Sequence, residues 1–338
     1  MNLKLSIAIT FLSSLLLLSS VQAQSFTKEE GRELSLNLLK QHSPSSYHLI
    51  MKQAAQPKEA KVGAGILTYP APWDFMNFVN TEDIESLIAS LNNTVKNINH
   101  EYTYRQAVFL LERADTMNYD TVRTMMAFYI DSTHSIIVPR TAVFRTREIN
   151  EFIPEKCKTY SYKSMVYPGK RQSNVQSDGI YGLLNEWNSC YHGTRTAFEL
   201  YPFFEARSEQ DFGIWKRYVS NVAGSYFSYL EIKLYILEYL LYAQANHPEM
   251  YEKIISNDNF RLAYRSIDER FAQLTQAFFD RIDELIIAGR RARTRVRIRD
   301  HIFYVVNRGV AIYTEEWEIL SEALASPRYE PIMAALAQ

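Results

Sequence analysis

The sequence predicts a mainly α-helical protein, a multi-helix soluble bundle with a small β-hairpin near its carboxyl terminus. The main observation is that apolar residues recur at helical spacing through most of the carboxyl-terminal half. These periodic runs cover residues 180–206, 212–245, 249–256 and 260–288. The run at 226–244 is apolar enough to resemble a membrane span, but Glu231, Lys233 and Glu238 interrupt it, which favours a buried helix.

A second observation predicts the hairpin, because the spacing changes to a period of two after Gly289. Four arginines then alternate with other side chains, as residues of a strand do. They are Arg293, Arg295, Arg297 and Arg299. The turn signal Asn307-Arg308-Gly309 predicts a hairpin over about 293–313 with Gly309 in a left-handed conformation, and a final helix is expected from Thr314.

The amino-terminal region, residues 24–166, also predicts helices. Thr27 and Glu30 have the spacing of a capping box, which predicts a helix that ends near Gln41, before Pro44. An apolar stripe predicts a helix from Thr81 to about residue 98. Further elements expected here are helices over 104–114 and 120–130, an irregular or extended connector over 62–72 and a short strand over 135–138. Residues 167–179 predict a loop or boundary before a carboxyl-terminal region, 180–338.

The first 23 residues have the organisation of an export signal. Lys4 precedes an apolar run from Leu5 to Leu18, and Val21 and Ala23 lie at minus three and minus one from a cleavage point. The run is shorter than a comfortable membrane span. We therefore expect removal of residues 1–23, export to the periplasm or extracellular space, and no stable membrane span; a short anchor is the alternative.

The composition of the chain limits which classes of binding partner it favours. The chain has 37 basic and 38 acidic residues, a balance that argues against bulk attraction to nucleic acid or an anionic membrane, although local patches remain open. Its 23 tyrosines and 18 phenylalanines favour recognition of sugar or peptide, because amphipathic rings suit both.

Two cysteines, Cys157 and Cys190, follow the export signal. In an oxidising compartment they form a disulfide or remain as two separate buried thiols, and the sequence leaves both possibilities open. Common catalytic, nucleotide and metal motifs are absent, so we expect no cofactor and no metal site.

One element order has a counterpart in a known family. The strand 135–138, a helix expected over "RTAVFRTREINEF", and a later acidic helix at Glu186 resemble the order in gluzincin metallopeptidases. The resemblance covers about sixty residues, and the histidine pair of that family is missing from this stretch. It implies a degenerate gluzincin-like fold, in which Glu186 matches the glutamate ligand of the later helix.

The stretch "NEWNSCYHGTRTAFEL", residues 185–200, concentrates polar and aromatic side chains on one predicted helix. On a helical wheel, Glu186 is the single charge on a face that is otherwise apolar or small. A buried carboxylate needs a cation, a hydrogen-bond donor, a metal or a proton. Glu186 is therefore a candidate catalytic residue, and a structural ion pair with a basic residue of a neighbouring helix is the alternative.

The opposite face of this helix predicts a binding surface, because it carries tyrosine, asparagine, histidine and arginine instead of lysine. The candidate ligand-binding residues are Tyr181, Asn188, Tyr191, His192 and Arg195. We expect an exported protein that binds an extracytoplasmic glycan or peptide through this face. The alternatives are a hydrolase or lyase that uses Glu186 or Tyr191, His192 and Arg195, a structural envelope protein, and a face covered by the protein itself.

Two further groups have a functional and a structural interpretation. Glu231 and Glu238 lie about 10 Å apart along a helix, near the outer limit for the two carboxyl groups of an inverting glycosidase, and ion pairs with other helices are the alternative. The arginines from Arg293 to Arg299 fit an acidic glycan or phosphate. They also fit protection of a strand edge against aggregation.

Overall fold

A computed structural model describes residues 25–159, 161–168 and 174–338, so the predicted export signal lies outside the described residues. The α-helices, in chain order, are α1 Lys28–His42, α2 Pro44–Ala54, α3 Ile84–Leu110, α4 Tyr119–Arg123, α5 Tyr162–Met165, α6 Asn174–Ser177, α7 Gly179–Glu199, α8 Tyr201–Ser208, α9 Ile214–Tyr226, α10 Ser228–Asn246, α11 Pro248–Ile255, α12 Asp258–Arg291, α13 Thr314–Leu324 and α14 Glu330–Ala337. The mainly α-helical prediction is confirmed.

Strands form three small antiparallel sheets. Their bounds are β1 Glu59–Val62, β2 Gly65–Thr68, β3 Met125–Tyr129, β4 Ser135–Pro139, β5 Val296–Arg299, β6 Ile302–Val305 and β7 Arg308–Ala311. The first two pairs are hairpins, β1-β2 and β3-β4, and the third sheet is a meander in the order β5-β6-β7. The stretch predicted as an irregular or extended connector is in part extended, since it contributes to the β1-β2 hairpin.

Local sequence signals determine where the first two helices begin. The Thr27 hydroxyl accepts a hydrogen bond from the Glu30 amide, and the Glu30 carboxylate accepts one from the Thr27 amide, so the capping box is present. Pro44 does more than end this helix, because it is the first residue of α2. Proline suits that position, since the first helical residue needs no amide donor.

Three helix predictions are wrong in detail. The helices expected from Thr81 and over 104–114 form one helix, α3. The helix expected over 120–130 divides into α4 and β3, because Met125–Tyr129 pairs in register with Ser135–Pro139. Residues 140–145 are irregular and lead into a 3-10 turn at Thr146–Ile149, so the helix that the gluzincin-like order requires does not form.

The longest predicted helices are interrupted. Leu200 separates α7 from α8, which begins with Tyr201 and Pro202, and Phe227 separates α9 from α10. Each break redirects the chain, so that α9 and α10 both pack against α7.

The carboxyl-terminal sheet has one more strand than the predicted hairpin. Its first turn places Asp300 and His301 at φ 50° and 60°, and its second places Val306 at φ 57°. Gly309 lies inside β7, so the prediction of a left-handed glycine is wrong. The alternation of arginines does identify β5.

Helix α7 lies at the centre of the molecule. It contacts α3, α9, α10, α12 and β3, and 17 of its 21 residues are buried. One hydrophobic cluster packs α7 with α10, α12 and the β3-β4 hairpin, and a second includes α1, α2, α3, α9 and the carboxyl-terminal sheet. Within the described ranges, no helix combines the length and apolar character that a membrane span needs.

Side chains cover the outer edges of the β3-β4 hairpin. Asn188 and His192 of α7 reach the Tyr129 carbonyl of β3 at 3.0 and 2.8 Å. On the other edge, Asn257 and Asn259 donate to carbonyls of β4 at 2.7 and 2.9 Å. The exposed carbonyls of a two-stranded sheet are thereby satisfied.

Two glycines test the close packing of α7. A Cβ atom on Gly193 would lie 2.8 Å from the Asn92 backbone oxygen of α3, whereas one on Gly224 of α9 would meet nothing within 4 Å. We predict that Gly193→Ala lowers the free energy of unfolding by about 1 to 3 kcal/mol, because the helices must separate. Gly224→Ala, the matched control, should raise it by about 0.5 to 1 kcal/mol, since alanine favours helix. Urea denaturation measures both, and equal effects would contradict this packing.

Candidate functional site

The predicted binding face of α7 is not a surface. Tyr181 and His192 have no exposed area, Asn188 is 1% exposed and Tyr191 is 6% exposed. The expectation that these residues border solvent is wrong. The physical reason is that α7 has neighbours on all sides, so its polar face is packed against β3 and α3.

Polar groups on this face bond within the protein. The Asn99 side-chain amide donates to the Ser189 hydroxyl at 3.0 Å, and the Tyr129 hydroxyl donates to the Ser45 carbonyl at 3.0 Å. Together with the bonds to the Tyr129 carbonyl, they connect α7, α3, β3 and α2. Buried polar groups that are paired in this way specify how the elements fit together.

The burial of His192 determines its protonation state and excludes a role in proton transfer. Since its Nε2 atom lies 2.8 Å from a carbonyl oxygen, that nitrogen carries the proton and donates. Burial, with Arg195 nearby, lowers the pKa of His192 to about 3, so the imidazole is neutral at physiological pH. A general acid or base must reach both substrate and solvent, and this geometry gives His192 neither.

Arg195 is the partly exposed member of the predicted set. Its Nε atom donates to Glu199 at 2.7 Å, one helical turn further along α7. The Ser43 hydroxyl donates to the other Glu199 oxygen, so this ion pair ties the carboxyl-terminal end of α7 to the junction of α1 and α2.

Glu186 is mostly buried and forms the structural ion pair that the sequence offered as the alternative to a catalytic role. Its carboxylate lies 2.6 Å from the Lys96 amino group of α3, and the side chain of Glu186 is 13% exposed. The Cys190 thiol lies 3.9 Å from the same carboxylate. Burial raises the pKa of Cys190 to about 11, which keeps this thiol protonated and unreactive at neutral pH.

The two cysteines are free and buried, so the disulfide alternative is not supported. Cys190 lies beside Lys96 and Glu186 of the α3-α7 contact. Cys157 lies in the turn before α5, where its carbonyl accepts from the Tyr235 hydroxyl. Each thiol packs as a small apolar group.

Glu231 and Glu238 do not face an open cleft. Glu231 has no exposed area and accepts from the Ser161 amide at 2.9 Å, while Glu238 is 2% exposed and accepts from the Tyr329 hydroxyl at 2.6 Å and from Arg328. Burial raises the pKa of Glu238. These contacts anchor flanking segments on α10, which is a structural role.

An open cleft lies at the amino-terminal end of α7. It has a volume of about 420 Å³. Its lining residues are Thr124, Arg140, Thr141, Ala142, Val143, Ser177 and Asp178. The charged lining residues form an ion pair, in which Arg140 Nη1 donates to Asp178 at 2.8 Å. Both side chains are partly exposed. The Tyr104 hydroxyl donates to the second Asp178 oxygen at 2.6 Å.

Tyrosine hydroxyls hold the irregular wall of this cleft. The Thr141 amide donates to the Tyr181 hydroxyl at 3.0 Å, and the Phe144 amide donates to the Tyr239 hydroxyl at 3.0 Å. Gly179 permits this approach, because it has φ 58° and a Cβ atom there would lie 2.7 Å from the Phe144 carbonyl oxygen. In the part of the chain that the structure describes, the amides of Ala142 and Val143, which lie between these anchors, have no hydrogen-bond partner.

Sequence reasoning identified one residue that supports this cleft, Tyr181, and assigned it to a different surface. The lining residues themselves belong to three separate segments, and no local pattern connects Arg140 with Asp178. Within the described residues, no cluster of three or more histidine, cysteine or acidic side chains could hold a metal ion.

The buried imidazole predicts a pH dependence of stability. Below its ordinary pKa of 6.5, His192 takes up a proton in the unfolded state, whereas in the folded state it stays neutral until about pH 3. Protonation therefore favours unfolding as the pH falls through this window. His192→Gln should reduce the slope of unfolding free energy against pH by about 1.4 kcal/mol per unit.

The measurement is urea denaturation at several pH values between 3.5 and about 6.5, the window set by His192. His48→Gln is the matched control, because it makes the same substitution at an exposed position on α2. Equal slopes for wild type and His192→Gln would show that this imidazole is not buried as described.

Comparison with known proteins adds no relative. No family model, no curated protein and no solved structure matches this chain.

Proposed function

We propose that this protein binds a short peptide outside the cytoplasm, in the cleft at the amino-terminal end of α7. The observation that carries the proposal is the pair of unpartnered amides at Ala142 and Val143, on the wall of an open cleft. Backbone amides are strong hydrogen-bond donors, and the carbonyl groups of a peptide main chain supply hydrogen-bond acceptors at suitable intervals. Export follows from the signal predicted over residues 1–23.

The lining favours peptide over glycan. None of the described lining residues is aromatic, so the cleft offers no ring on which a sugar could stack. Ala142 and Val143 instead supply apolar area beside the amides. Arg140 has five N–H donors, one of which, on Nη1, is used by Asp178, and the remaining donors suit a peptide carboxylate.

The same lining favours binding over catalysis. Nucleophilic catalysis needs a nucleophile beside a base, and the described lining residues include no histidine, cysteine or lysine. The single carboxylate, Asp178, already accepts from Arg140 and Tyr104. Burial and the adjacent carboxylate raise the pKa of Tyr104, so this phenol remains a donor and cannot act as a base at neutral pH.

The test uses a random library of short peptides with free carboxyl termini, selected on the full chain and measured by fluorescence polarisation. Ala142→Arg places a long side chain in the cleft and should weaken the selected peptides at least about tenfold through steric conflict. Ala54→Arg, which makes the same change at an exposed position on α2, is the matched control and should bind like wild type. Amidation of the peptide terminus should also weaken binding, because it removes the charge that Arg140 recognises.

Two results would overturn the proposal. One is that Ala142→Arg binds the selected peptides as tightly as wild type. The other is that the library yields no ligand while a neutral oligosaccharide array yields ligands that Ala142→Arg abolishes.

A further inference from the structure

The outer face of the carboxyl-terminal sheet concentrates positive charge. Between residues 290 and 308 the chain has seven arginines, one aspartate and no glutamate or lysine, although the whole chain is almost balanced. Six of these arginines are exposed and Arg297 is half-buried. Among the residues that the structure describes, only Arg299 of this group has a carboxylate partner, and that partner is its neighbour Asp300.

Strand geometry aligns three of these arginines. Val296, Phe303 and Val305 are buried on the inner face of the sheet. Side chains alternate along a strand, so Arg295, Arg297 and Arg299 project from the opposite face, about 7 Å apart. β5 is an edge strand, so no further strand extends the sheet beyond this row, and Arg295 and Arg299 are exposed.

Tyr304 completes the face. It pairs with Arg297 across the sheet, and the Arg297 guanidinium lies 5.2 Å from the centre of its ring. On the other side Tyr304 pairs with Gly309, where a Cβ atom would lie 2.9 Å from the ring. The glycine therefore leaves room for the ring across β7, beside the Arg297 guanidinium.

We propose that this face, formed by Arg295, Arg297, Arg299 and Tyr304, binds an acidic polysaccharide through its carboxylate or sulfate groups. Guanidinium groups bind such anions with two parallel hydrogen bonds, and an evenly spaced row suits a linear polyanion. None of these residues lines the peptide cleft, so this site is independent of the function proposed above.

The observations favour glycan over membrane or nucleic acid. The exposed apolar residues near the sheet, Ile298 and Val306, lie toward opposite ends of the β5-β6 ladder and form no single apolar anchor for a lipid surface. One tyrosine partly covered by Arg297 is a poor platform for successive bases. The export signal predicted for residues 1–23 also directs the chain to a compartment where polysaccharides are the common polyanions.

The experiment measures binding of the full chain to chondroitin sulfate, which carries both carboxylate and sulfate groups. The variant Arg295→Gln, Arg297→Gln, Arg299→Gln should weaken binding at least about tenfold, because three charge-assisted contacts are lost. A control with the same loss of charge at exposed positions elsewhere, Arg113→Gln, Arg123→Gln, Lys253→Gln, should stay within about twofold of wild type.

Additional variants and a neutral polymer test whether the guanidinium geometry, and not charge alone, determines binding. Replacing the three arginines by lysine should weaken binding several-fold despite equal charge, since lysine cannot form the paired bonds. Arg299→Gln alone removes a side chain that is 71% exposed, so it tests the face without risk to folding and should also weaken binding. Neutral dextran should not bind.

Several outcomes would overturn the proposal. They are wild-type binding by the triple glutamine variant, an equal loss in the charge-matched control, or tighter binding to duplex DNA of equal charge or to phosphatidylglycerol vesicles than to chondroitin sulfate. Failure of the polysaccharide proposal leaves the proposal for the peptide cleft unaffected, because peptide binding is measured with different variants and a different ligand.

Discussion

The close antiparallel contact between α3 and α7 is the constraint on which the rest of the structure depends. Gly193 brings α7 against the Asn92 backbone, and the Lys96–Glu186 ion pair and the Asn99–Ser189 hydrogen bond follow along the same contact. It ends where Tyr104 donates to Asp178, at the cleft. The helix pair therefore positions one wall of the cleft, while α9, α10 and α12 pack around the remaining sides of α7.

Because α7 is central, its polar side chains act as internal connectors. An unpaired buried polar group costs about 1 to 3 kcal/mol, so the groups that are paired here, among them the Asn188 amide and the His192 Nε2 atom, favour this one arrangement. The Tyr129 carbonyl shows this clearly, since it accepts from both Asn188 and His192 and fixes β3 on α7. Residues committed in this way are not available to a ligand. Both proposed binding sites therefore lie at the periphery, at the amides of the cleft and at the arginine face of the carboxyl-terminal sheet.

Local chemistry made part of the fold predictable. The capping box at Thr27, the alternating arginines of β5 and the periodic runs of the second half each depend on neighbours within a few residues. The ion pair of Glu186 was also predictable, because a carboxylate on an apolar helix face needs a partner wherever the helix packs.

What the sequence did not reveal depends on contacts between distant segments. Strand β3 reads like a helix until it pairs with β4, and the helical wheel assumes that a polar face meets water, which fails for a helix with neighbours on all sides. The absence of lysine from residues 185–200 was the signal that this face is internal. The cleft arises from Gly179, Tyr181 and Tyr239 acting on residues 141–144, a relation that no local pattern records.

Carbethoxylation of the native protein with diethyl pyrocarbonate, followed by mass spectrometry, tests most directly whether the polar face of α7 is internal. The exposed imidazoles of His48 and His134 should react quickly, and His192 should react only as fast as the protein unfolds. Modification of His192 at a rate comparable to that of His48 would contradict this account.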